Sequence, residues 1–461
     1  MKSLIATTIA VVLAWGAMFS PAQESPVEER LKKLEERLQQ TELDNARLRE
    51  RLERLAPGEA PAAAPEASEL ELAVERALER RAPAEDAVSW KDLLKSGNRM
   101  QFYGFLRLDG HYGSARPAPN DLFVMWALPE DGTVARKQDD SFAMQARWTR
   151  LGVNLDAGEA IGAHLTGCVE IDFANYQAGT VESRTAPRIR LAYMDVDWGK
   201  WSVRLGQDWD VIAPLNPSVL LSGLLWNVGN LGDRRPQAVV GFETGEDVKF
   251  EVRGGLGLTG AVDGQDLDTR SRYTSTDLDG FDSGLPQVQL RAGWKTKAGL
   301  AFGLWSAAAA LETDQRFNGD NDFHALAVGI DCTVPLGNVF SIKGEAWIGQ
   351  ALSDVRGGIG QAVNTADGDE IRSYGGWTEL GCQVTKVHKL VAGAAIDNPY
   401  NRDLSSGLAH RTRNLTYYLG AIQDWGGGFR TGIEAMYWST RWVDEGLGTM
   451  VRVNVYTQLS F

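Results

Sequence analysis

The chain alternates apolar and polar residues with a period of two from about residue 99 to its end. Successive side chains of a β-strand point to opposite faces, so this alternation predicts strands with one apolar and one polar face. About sixteen such segments are long enough to cross a bilayer as tilted strands. The last segment shows the alternation clearly, and its apolar parity consists of Val451, Val453, Val455, Thr457, Leu459 and Phe461.

The segments between these strands alternate between short turns and long polar loops. A sheet in hydrocarbon must close on itself, because no water is present to pair with the backbone at its edges. The pattern therefore predicts an all-β transmembrane barrel of about 16 antiparallel strands over residues 99–461. A soluble solenoid or sandwich is the alternative, and neither requires apolar outer faces. The long loops are expected at residues 113–140, 175–186, 210–236, 259–285, 314–321, 352–370, 398–411 and 441–449.

The first residues of the chain, 1–22, have the pattern of a secretory signal peptide. Lys2 precedes a mostly apolar run, and Ser20-Pro21-Ala22 supplies small residues at a cleavage site. After this segment no apolar stretch reaches the roughly 18 residues that a spanning helix requires. The sequence therefore predicts an exported protein without a membrane-spanning helix.

Residues 23–55 have the heptad pattern of a coiled-coil helix. Apolar residues recur at alternating spacings of three and four, and Glu and Arg fill the outer positions. The pattern predicts self-association, but it does not decide between a dimer and a trimer. Residues 56–98 form an Ala- and Pro-rich linker followed by a short charged helix. The expected oligomerisation seam consists of Leu31, Leu34, Leu38, Asn45, Leu48 and Leu52.

Composition excludes several classes of function. The formal net charge of −14 argues against a nucleic-acid partner. The 3 cysteines are odd in number and widely spaced, which argues against a disulfide framework or a zinc site. The 5 histidines show no ligand spacing, and no nucleophile stands beside a base. We therefore expect no metal, no cofactor and no enzymatic activity.

Arginine is frequent on the polar parity of the strands. If the apolar parity faces lipid, these arginines line the lumen, where their planar charged groups favour small anions. Arg150 joins them only if a bulge shifts the parity after Trp148. The alternative is that most of them pair with neighbouring acids and only support the wall. The candidate pore-lining residues are Arg107, Arg147, Arg150, Arg188, Arg190, Arg204, Arg253, Arg291, Arg430 and Arg452.

Aromatic residues near the strand ends fit the girdles that outer-membrane barrels place at the two membrane interfaces. Phe461 ends the chain on the apolar parity, and an outward-facing terminal aromatic resembles the insertion signal of such barrels. The girdle candidates are Trp148, Tyr193, Trp198, Trp201, Trp294, Tyr417 and Tyr437.

The third long loop, residues 210–236, carries an apolar run at 219–226 that a freely solvated loop does not need. We expect this loop to fold into the barrel and to narrow the pore, with packing through its apolar half. The alternative is a loop that packs against a neighbouring subunit. The residues expected near the narrowing are Asp208, Asp210, Arg234 and Arg235.

Four short motifs, in this order, resemble the DcaP-like family of trimeric porins in the general bacterial porin superfamily. They are Phe102-Tyr103-Gly104-Phe105-Leu106-Arg107-Leu108-Asp109, Arg150-Leu151-Gly152, Gly206-Gln207-Asp208-Trp209-Asp210 and Asp397-Asn398-Pro399. The resemblance implies a sixteen-stranded homotrimer in the outer membrane of a Gram-negative bacterium, with its helices in the periplasm. It also implies passive diffusion of small organic anions such as dicarboxylates.

Two other functions are open at this point. A phosphate-selective porin is disfavoured because lysine is sparse on the inward parity. An envelope tether is the second: its coiled coil would bind peptidoglycan or a periplasmic protein, and its barrel would serve only as an anchor. Large side chains packed in the lumen would favour the tether, whereas small and charged residues favour a water-filled channel.

Overall fold

The computed structural model describes residues 99–115, 117–119, 123–130, 140–175, 185–221, 223–260 and 283–461. The expected signal peptide, coiled coil and linker, residues 1–98, lie outside the described residues, and the oligomerisation seam lies there with them. Among the residues that the structure describes, no helix is both long and apolar enough to cross a membrane.

In the described part of the chain sixteen antiparallel strands form a closed barrel, which confirms the predicted β-barrel. The first strand pairs with the last and also with the second, so the sheet has no free edge. The second strand runs in two pieces. The strands are β1 (Arg99–Gly113), β2 (Ser141–Gln145 and Arg150–Ala160), β3 (Ala163–Asp172), β4 (Arg188–Asp197), β5 (Trp201–Trp209), β6 (Arg234–Thr244), β7 (Val248–Gly257), β8 (Gln287–Thr296), β9 (Ala301–Phe317), β10 (Asp320–Leu336), β11 (Phe340–Gln350), β12 (Arg372–Gln383), β13 (His388–Pro399), β14 (Arg411–Gly426), β15 (Phe429–Trp442) and β16 (Gly446–Ser460).

The outer surface of the barrel is apolar, as the alternation predicts. In β16, Val455 and Leu459 are exposed, whereas Arg452 and Asn454 on the other parity are buried. The same division holds in β15, where Ile433 is 51% exposed and its neighbour Glu434 is 1% exposed. An apolar outer face and a polar interior are what a barrel in lipid requires.

Two of the segments that were expected to be long loops are not loops in the structure. Residues 314–321 contain a tight turn at Asn318 and Gly319, and both residues have positive φ angles, 51° and 95°. An Asn-Gly pair suits a two-residue hairpin turn, so β9 and β10 continue to 17 residues each. Residues 441–449 likewise belong mostly to strands, because β15 and β16 pair as far as Trp442 with Gly446.

A break in β2 changes which side chains face the interior. Asp109 of β1 pairs with Gln145 before the break, and Phe105 pairs with Arg150 after it, so β2 gains one residue relative to β1. The extra residue reverses the parity of β2. Arg150 and Trp148 consequently lie on the interior side, and Trp148 is only 7% exposed.

Five of the seven aromatic residues expected in the girdles face outward, as a girdle position requires. Trp148 and Tyr193 are the exceptions, since Trp148 is buried and the guanidinium of Arg204 lies 4.0 Å from the Tyr193 ring centroid. A break at Trp148 and an interior cation at Tyr193 explain both errors. The aromatic residues that are exposed on the outer surface are Trp198, Trp201, Trp294, Tyr417 and Tyr437.

Candidate functional site

The segment between β5 and β6 crosses the interior of the barrel, and we call its residues 210–221 and 223–233 the inward loop. Its backbone N–H groups donate to buried carboxylates on the inner face of β11, β12 and β15. A buried carboxylate needs hydrogen-bond donors, and bonds of this charged kind contribute about 1.5–3 kcal/mol each. The pairs are Leu215 with Glu345 at 2.8 Å, Ser218 with Glu379 at 2.6 Å and Leu220 with Glu434 at 2.9 Å.

The apolar half of the inward loop packs against one side of the barrel wall. Leu221, Leu225 and Val228 of the loop are almost fully buried. Their burial against aromatic and aliphatic side chains stabilises the loop in the interior. The wall residues in this cluster include Trp377, Ala395, Tyr418, Met436, Trp438 and Met450 from β12 to β16.

Arg235 fixes the base of the inward loop. Its guanidinium is fully buried, and it donates to Asp210 at 2.5 Å and to Asp354 at 2.8 Å. Asp354 lies in a short 3-10 helix, Leu352–Val355, in the loop between β11 and β12. Breaking such a buried pair by removing one partner costs about 3–5 kcal/mol. Asp210 and Arg235 therefore hold the loop in place.

The other face of the inward loop borders a cavity of about 110 Å³, which we call the arginine cavity. The opposite wall consists of residues from β1, β2, β4, β5 and β6, together with one residue of the first long loop. The lining residues are Arg107, Phe123, Trp148, Arg150, Arg190, Trp209, Val219, Leu220, Leu221, Leu224, Trp226 and Arg234.

The side chains that line the arginine cavity offer hydrogen-bond donors only. Guanidinium and indole N–H groups donate and do not accept, and the other described lining side chains are hydrocarbon. Three of these donors have no hydrogen-bond partner: Nε1 of Trp148, Nε1 of Trp226 and Nε of Arg150. Because the lining side chains supply donors and no acceptors, this lining is suited to an occupant that brings acceptor atoms.

The arginines of this lining pair with carboxylates that do not themselves line the cavity. Six guanidinium groups in and around the arginine cavity share four carboxylates, so the group as a whole is cationic. Glu170 accepts from both Arg150 and Arg190, at 3.4 and 2.8 Å. The remaining pairs are Arg107 with Asp109, Arg188 and Arg190 with Asp172, and Arg234 and Arg356 with Asp233.

Asp233 of the inward loop stays ionised beside these cations. Burial would raise the pKa of its carboxyl group, but the guanidinium groups of Arg356 and Arg234 outweigh burial and hold the pKa at about 2. Arg356 donates to it at 2.7 Å and also lies 4.7 Å from the Trp226 ring centroid. Arg356 thereby connects the β11–β12 loop to the residues that line the arginine cavity.

A second cavity of about 410 Å³ lies toward the short turns, and we call it the mixed cavity. Its lining contains three arginines and five carboxylates, and each of the three arginines pairs with at least one of these acids. Trp209 lines both cavities, which places them next to each other. The charged lining residues are Asp195, Asp197, Arg204, Asp208, Asp210, Glu251, Arg253 and Arg291.

No protein-family model matches the chain, and no curated protein matches it either. Solved structures do match. The outer membrane channel DcaP of Acinetobacter baumannii has a TM-score of 0.62 at 16% identity, over 80% of this chain and 98% of that one. The chain has the fold of the outer-membrane porins.

Two more porin structures are similar. An anion-selective porin from Comamonas acidovorans has a TM-score of 0.51 at 11% identity, over 79% of this chain and all of that chain, 100%. OmpF of Salmonella typhi in complex with daunomycin has a TM-score of 0.51 at 11% identity, over 80% and 99% of the two chains. At these identities the likeness concerns the fold.

Within this porin fold, the ten candidate arginines fall into separate groups. Three of them, Arg107, Arg150 and Arg190, line the arginine cavity together with Arg234. Arg204, Arg253 and Arg291 line the mixed cavity instead. The other four candidates line neither of these two cavities, namely Arg147, Arg188, Arg430 and Arg452.

Those four arginines have local partners. The Arg147 guanidinium is buried and donates to the Asn175 carbonyl at 2.6 Å. Arg452 is also buried and donates to Asn454 at 2.8 Å. Arg188 and Arg430 pair with Asp172 at 2.9 Å and with Asp424 at 2.8 Å. Of the expected constriction residues, Asp208 pairs with Arg204 at the border of the mixed cavity.

Sequence reasoning missed the aromatic part of the lining. Trp209 ends β5, so its position beside the loop could have suggested an interior role. The break in β2 reversed the orientation expected for Trp148. Phe123 and Trp226 lie in loops, where a period-two pattern does not predict which way a side chain points. The missed aromatic residues are Phe123, Trp148, Trp209 and Trp226, and Arg356 was missed with them.

Proposed function

We propose that this protein is a passive outer-membrane channel for small hydrophilic solutes, with a preference for anions of the dicarboxylate type. The observation that carries the proposal is the donor-only lining of the arginine cavity. Fixed cations raise the local concentration of anions, and N–H donors replace part of the water that an anion loses on entry. The channel performs no catalytic step.

The conduction path runs between the inward loop and the wall of β1 to β8. Its two parts are the mixed cavity toward the short turns and the arginine cavity, which meet at Trp209. The inward loop sets the size limit, because carboxylates hold its backbone against β11, β12 and β15. Solutes diffuse along this path down their own gradient.

The assembly that we propose is a homotrimer whose N-terminal helices lie in the periplasm. Phe461 acts as the insertion signal. Its side chain is 61% exposed on the outer surface, and its backbone exchanges two hydrogen bonds with Gly104 of β1, at 3.0 and 3.2 Å. Phe461 thus helps to close the barrel as well as facing lipid.

One observation favours the envelope tether as a second candidate. The apolar half of the inward loop packs against β12 to β16 and fills part of the interior. Phosphate selectivity has less support, because no lysine is found among the described residues that line the arginine cavity.

Single-channel recording in a planar bilayer tests the proposal. Purified protein in a potassium chloride gradient should insert in groups of three conductance steps, with a reversal potential that favours chloride. Folded protein that inserts without passing current would support the tether and contradict the channel. A reversal potential that favours potassium would contradict the role of the arginines.

A further inference from the structure

We propose that the outer surface of β12 to β15, at the end of the barrel that carries the long loops, binds the phosphate groups of a lipid in the outer leaflet. The long loops of outer-membrane barrels face the cell exterior, so this end meets the outer leaflet. The site lies on the outside of the barrel. It therefore goes beyond the proposed channel function and does not depend on which solute passes.

Two arginines lie directly opposite each other on this surface. Arg413 of β14 pairs with Arg441 of β15, so their side chains share one face of the sheet. Tyr417 pairs with Tyr437 further along the same two strands, and both rings are exposed on the outer surface. Because side chains alternate between the two faces, the two arginines point outward as well.

The Arg413–Arg441 pair is not balanced by an acid. Neither guanidinium forms a salt bridge within the part of the chain that the structure describes. Like charges directly opposite each other destabilise a sheet, and an anion that bridges them removes this cost. A phosphate group is such an anion, because its oxygens accept from the planar forks of two guanidinium groups at once.

A groove of about 300 Å³ on the outer surface forms the second part of the site. Exposed aliphatic side chains of β10 and β11 line it on the membrane side, and arginines and a tyrosine line it toward the loops. This arrangement suits an acyl chain below and a charged head group above. The aliphatic residues are Leu326, Val328 and Ile348, and the others are Arg372, Tyr400 and Arg402.

The two arginines of the groove share one carboxylate. Asp403 is buried and accepts from Nε of Arg372 at 2.8 Å, whereas Nε of Arg402 lies 3.8 Å from it. The Arg402 side chain remains 68% exposed, with its guanidinium 5.4 Å from the Tyr400 ring centroid. Asp403 thus holds Arg372 in position, and one positive charge is left for an anion.

The groove and the Arg413–Arg441 pair belong to one strip of the surface. Tyr374, two residues after Arg372, pairs with Asn398, and the preceding Asp397 pairs with Asn414 next to Arg413. The arginines of β12 and β14 therefore lie at similar heights. Neighbouring strands are about 4.8 Å apart, which places these two strands about 10 Å apart. A lipid with two phosphate groups can contact both parts of the site.

The outward side chains of β1 to β4 differ at the same end of the barrel. They include Tyr112, Phe142, Met144 and Ile189, which are exposed and uncharged. An interface with lipid requires aromatic and apolar side chains but no arginine. The arginines of β12 to β15 are therefore an addition to this requirement, and a phosphorylated head group accounts for them.

Binding of diphosphoryl lipid A to the purified protein in detergent, followed by native mass spectrometry, tests the inference. We expect the double variant Arg413→Gln with Arg441→Gln to raise the half-saturating lipid concentration about tenfold. Arg402→Gln should raise it about threefold, because one exposed charge is lost. Arg372 is left in place, since its removal would leave Asp403 buried without its closest partner.

Two controls accompany these variants. Arg316→Gln is the matched variant, because Arg316 is exposed at the same end of the barrel and does not line the groove. Its half-saturating concentration should equal that of the wild type. Lipid A without its phosphate groups should bind the wild type and the double variant equally, and excess inorganic phosphate should not displace the diphosphoryl lipid.

Several outcomes would overturn the inference. Equal binding of the two lipids by the wild type would show that phosphate is not recognised, and displacement by inorganic phosphate would show that the lipid is not. An equal loss in Arg316→Gln would indicate a general effect of charge. Binding only to a dissociated subunit would make this surface a subunit contact. None of these results changes the reversal potential in a planar bilayer, which tests the proposed function separately.

Discussion

The two interior cavities contain the same cation, arginine, in different surroundings. In the mixed cavity, Arg204 and Arg291 face the solute space together with the carboxylates that pair with them. In the arginine cavity, Arg150 and Arg190 face the solute space, whereas their shared partner Glu170 does not line the cavity. A solute meets three arginines and five carboxylates in the first case and only positively charged groups in the second.

The comparison shows that the position of the acids matters more than the number of arginines. A guanidinium and a carboxylate at equal distances from an ion cancel, whereas a carboxylate that is further away cancels only part of the field. The break in β2 contributes to this difference, because it turns Arg150 inward without an acidic neighbour on the same strand face. Anion preference is therefore assigned to the arginine cavity.

Removing two lining charges should have the largest effect. In the double variant Arg150→Gln with Arg234→Gln, Glu170 keeps Arg190 and Asp233 keeps Arg356, so each acid still has a partner. At a distance of about 8 Å and a dielectric constant of about 80, each unit charge stabilises an anion and destabilises a cation by about 0.5 kcal/mol, so two charges change the difference between the ions by about 2 kcal/mol. The chloride-to-potassium permeability ratio should fall about thirtyfold, as measured by reversal potential. A fall of less than threefold would contradict the assignment.

Weakening one anchor of the inward loop should have the next largest effect. Glu434 accepts from the backbone N–H groups of Leu220 and Leu221, at 2.9 and 3.2 Å. In Glu434→Gln one of the two oxygens becomes an NH₂ group, so one N–H loses its acceptor. Hydrogen exchange of these two amides, followed by mass spectrometry, should accelerate about tenfold.

The control for the loop anchor lies in the mixed cavity. Glu251→Gln removes an acid that pairs with Arg291 and Arg253 and does not contact the inward loop through any hydrogen bond described here. Exchange of the Leu220 and Leu221 amides should match that of the wild type. Equal acceleration in both variants would mean that Glu434 does not anchor the loop.

Asp233 should contribute little to the pH dependence of selectivity above pH 4. The pKa of Asp233 is about 2, below its ordinary value of 3.8, so its contribution to stability is fully present above that ordinary value. The contribution is lost as the pH falls through about 2, when protonation releases Arg234 and Arg356. From pH 8 to pH 4 the permeability ratios of the wild type and Asp233→Asn should change in parallel, within about twofold. Asp233→Asn should remove the change below pH 3, and a transition near pH 5 that this variant removes would contradict the account.

Removing an arginine from the mixed cavity should have the smallest effect. Arg253 is half exposed and pairs with Glu251, which Arg291 also binds at 2.9 Å. Screening by water and by the surrounding acids reduces the influence of such a group. Arg253→Gln should change the chloride-to-potassium ratio by less than about twofold. A change as large as that of the double variant would remove the distinction between the two cavities.

The sequence predicted well where the strands lie and which of their side chains point inward, because a period of two is a local property. It also placed Arg107 and Arg190 on the interior face, where they line the arginine cavity. The hairpin at Asn318-Gly319 was missed although this dipeptide is a strong turn signal, because charged residues around it resemble a loop. Polar strands that extend beyond the membrane have that appearance.

The details of the lining depended on contacts between distant segments. Glu434 lies 214 residues from Leu220, and no local pattern links a strand carboxylate to that backbone N–H group. The facing of Trp148 depended on a one-residue change of register between β1 and β2. Both features arise when the barrel closes, which is why composition and periodicity could not predict them.

The most direct test asks whether the arginine cavity lies on the conduction path and favours anions there. Val219 lines the cavity from the inward loop, and Val219→Cys supplies one target once Cys168, Cys332 and Cys382 are replaced by alanine. Anionic and cationic methanethiosulfonate reagents should both reduce the current, and the anionic reagent should react about tenfold faster. Modification without loss of current, or faster reaction of the cationic reagent, would contradict the account.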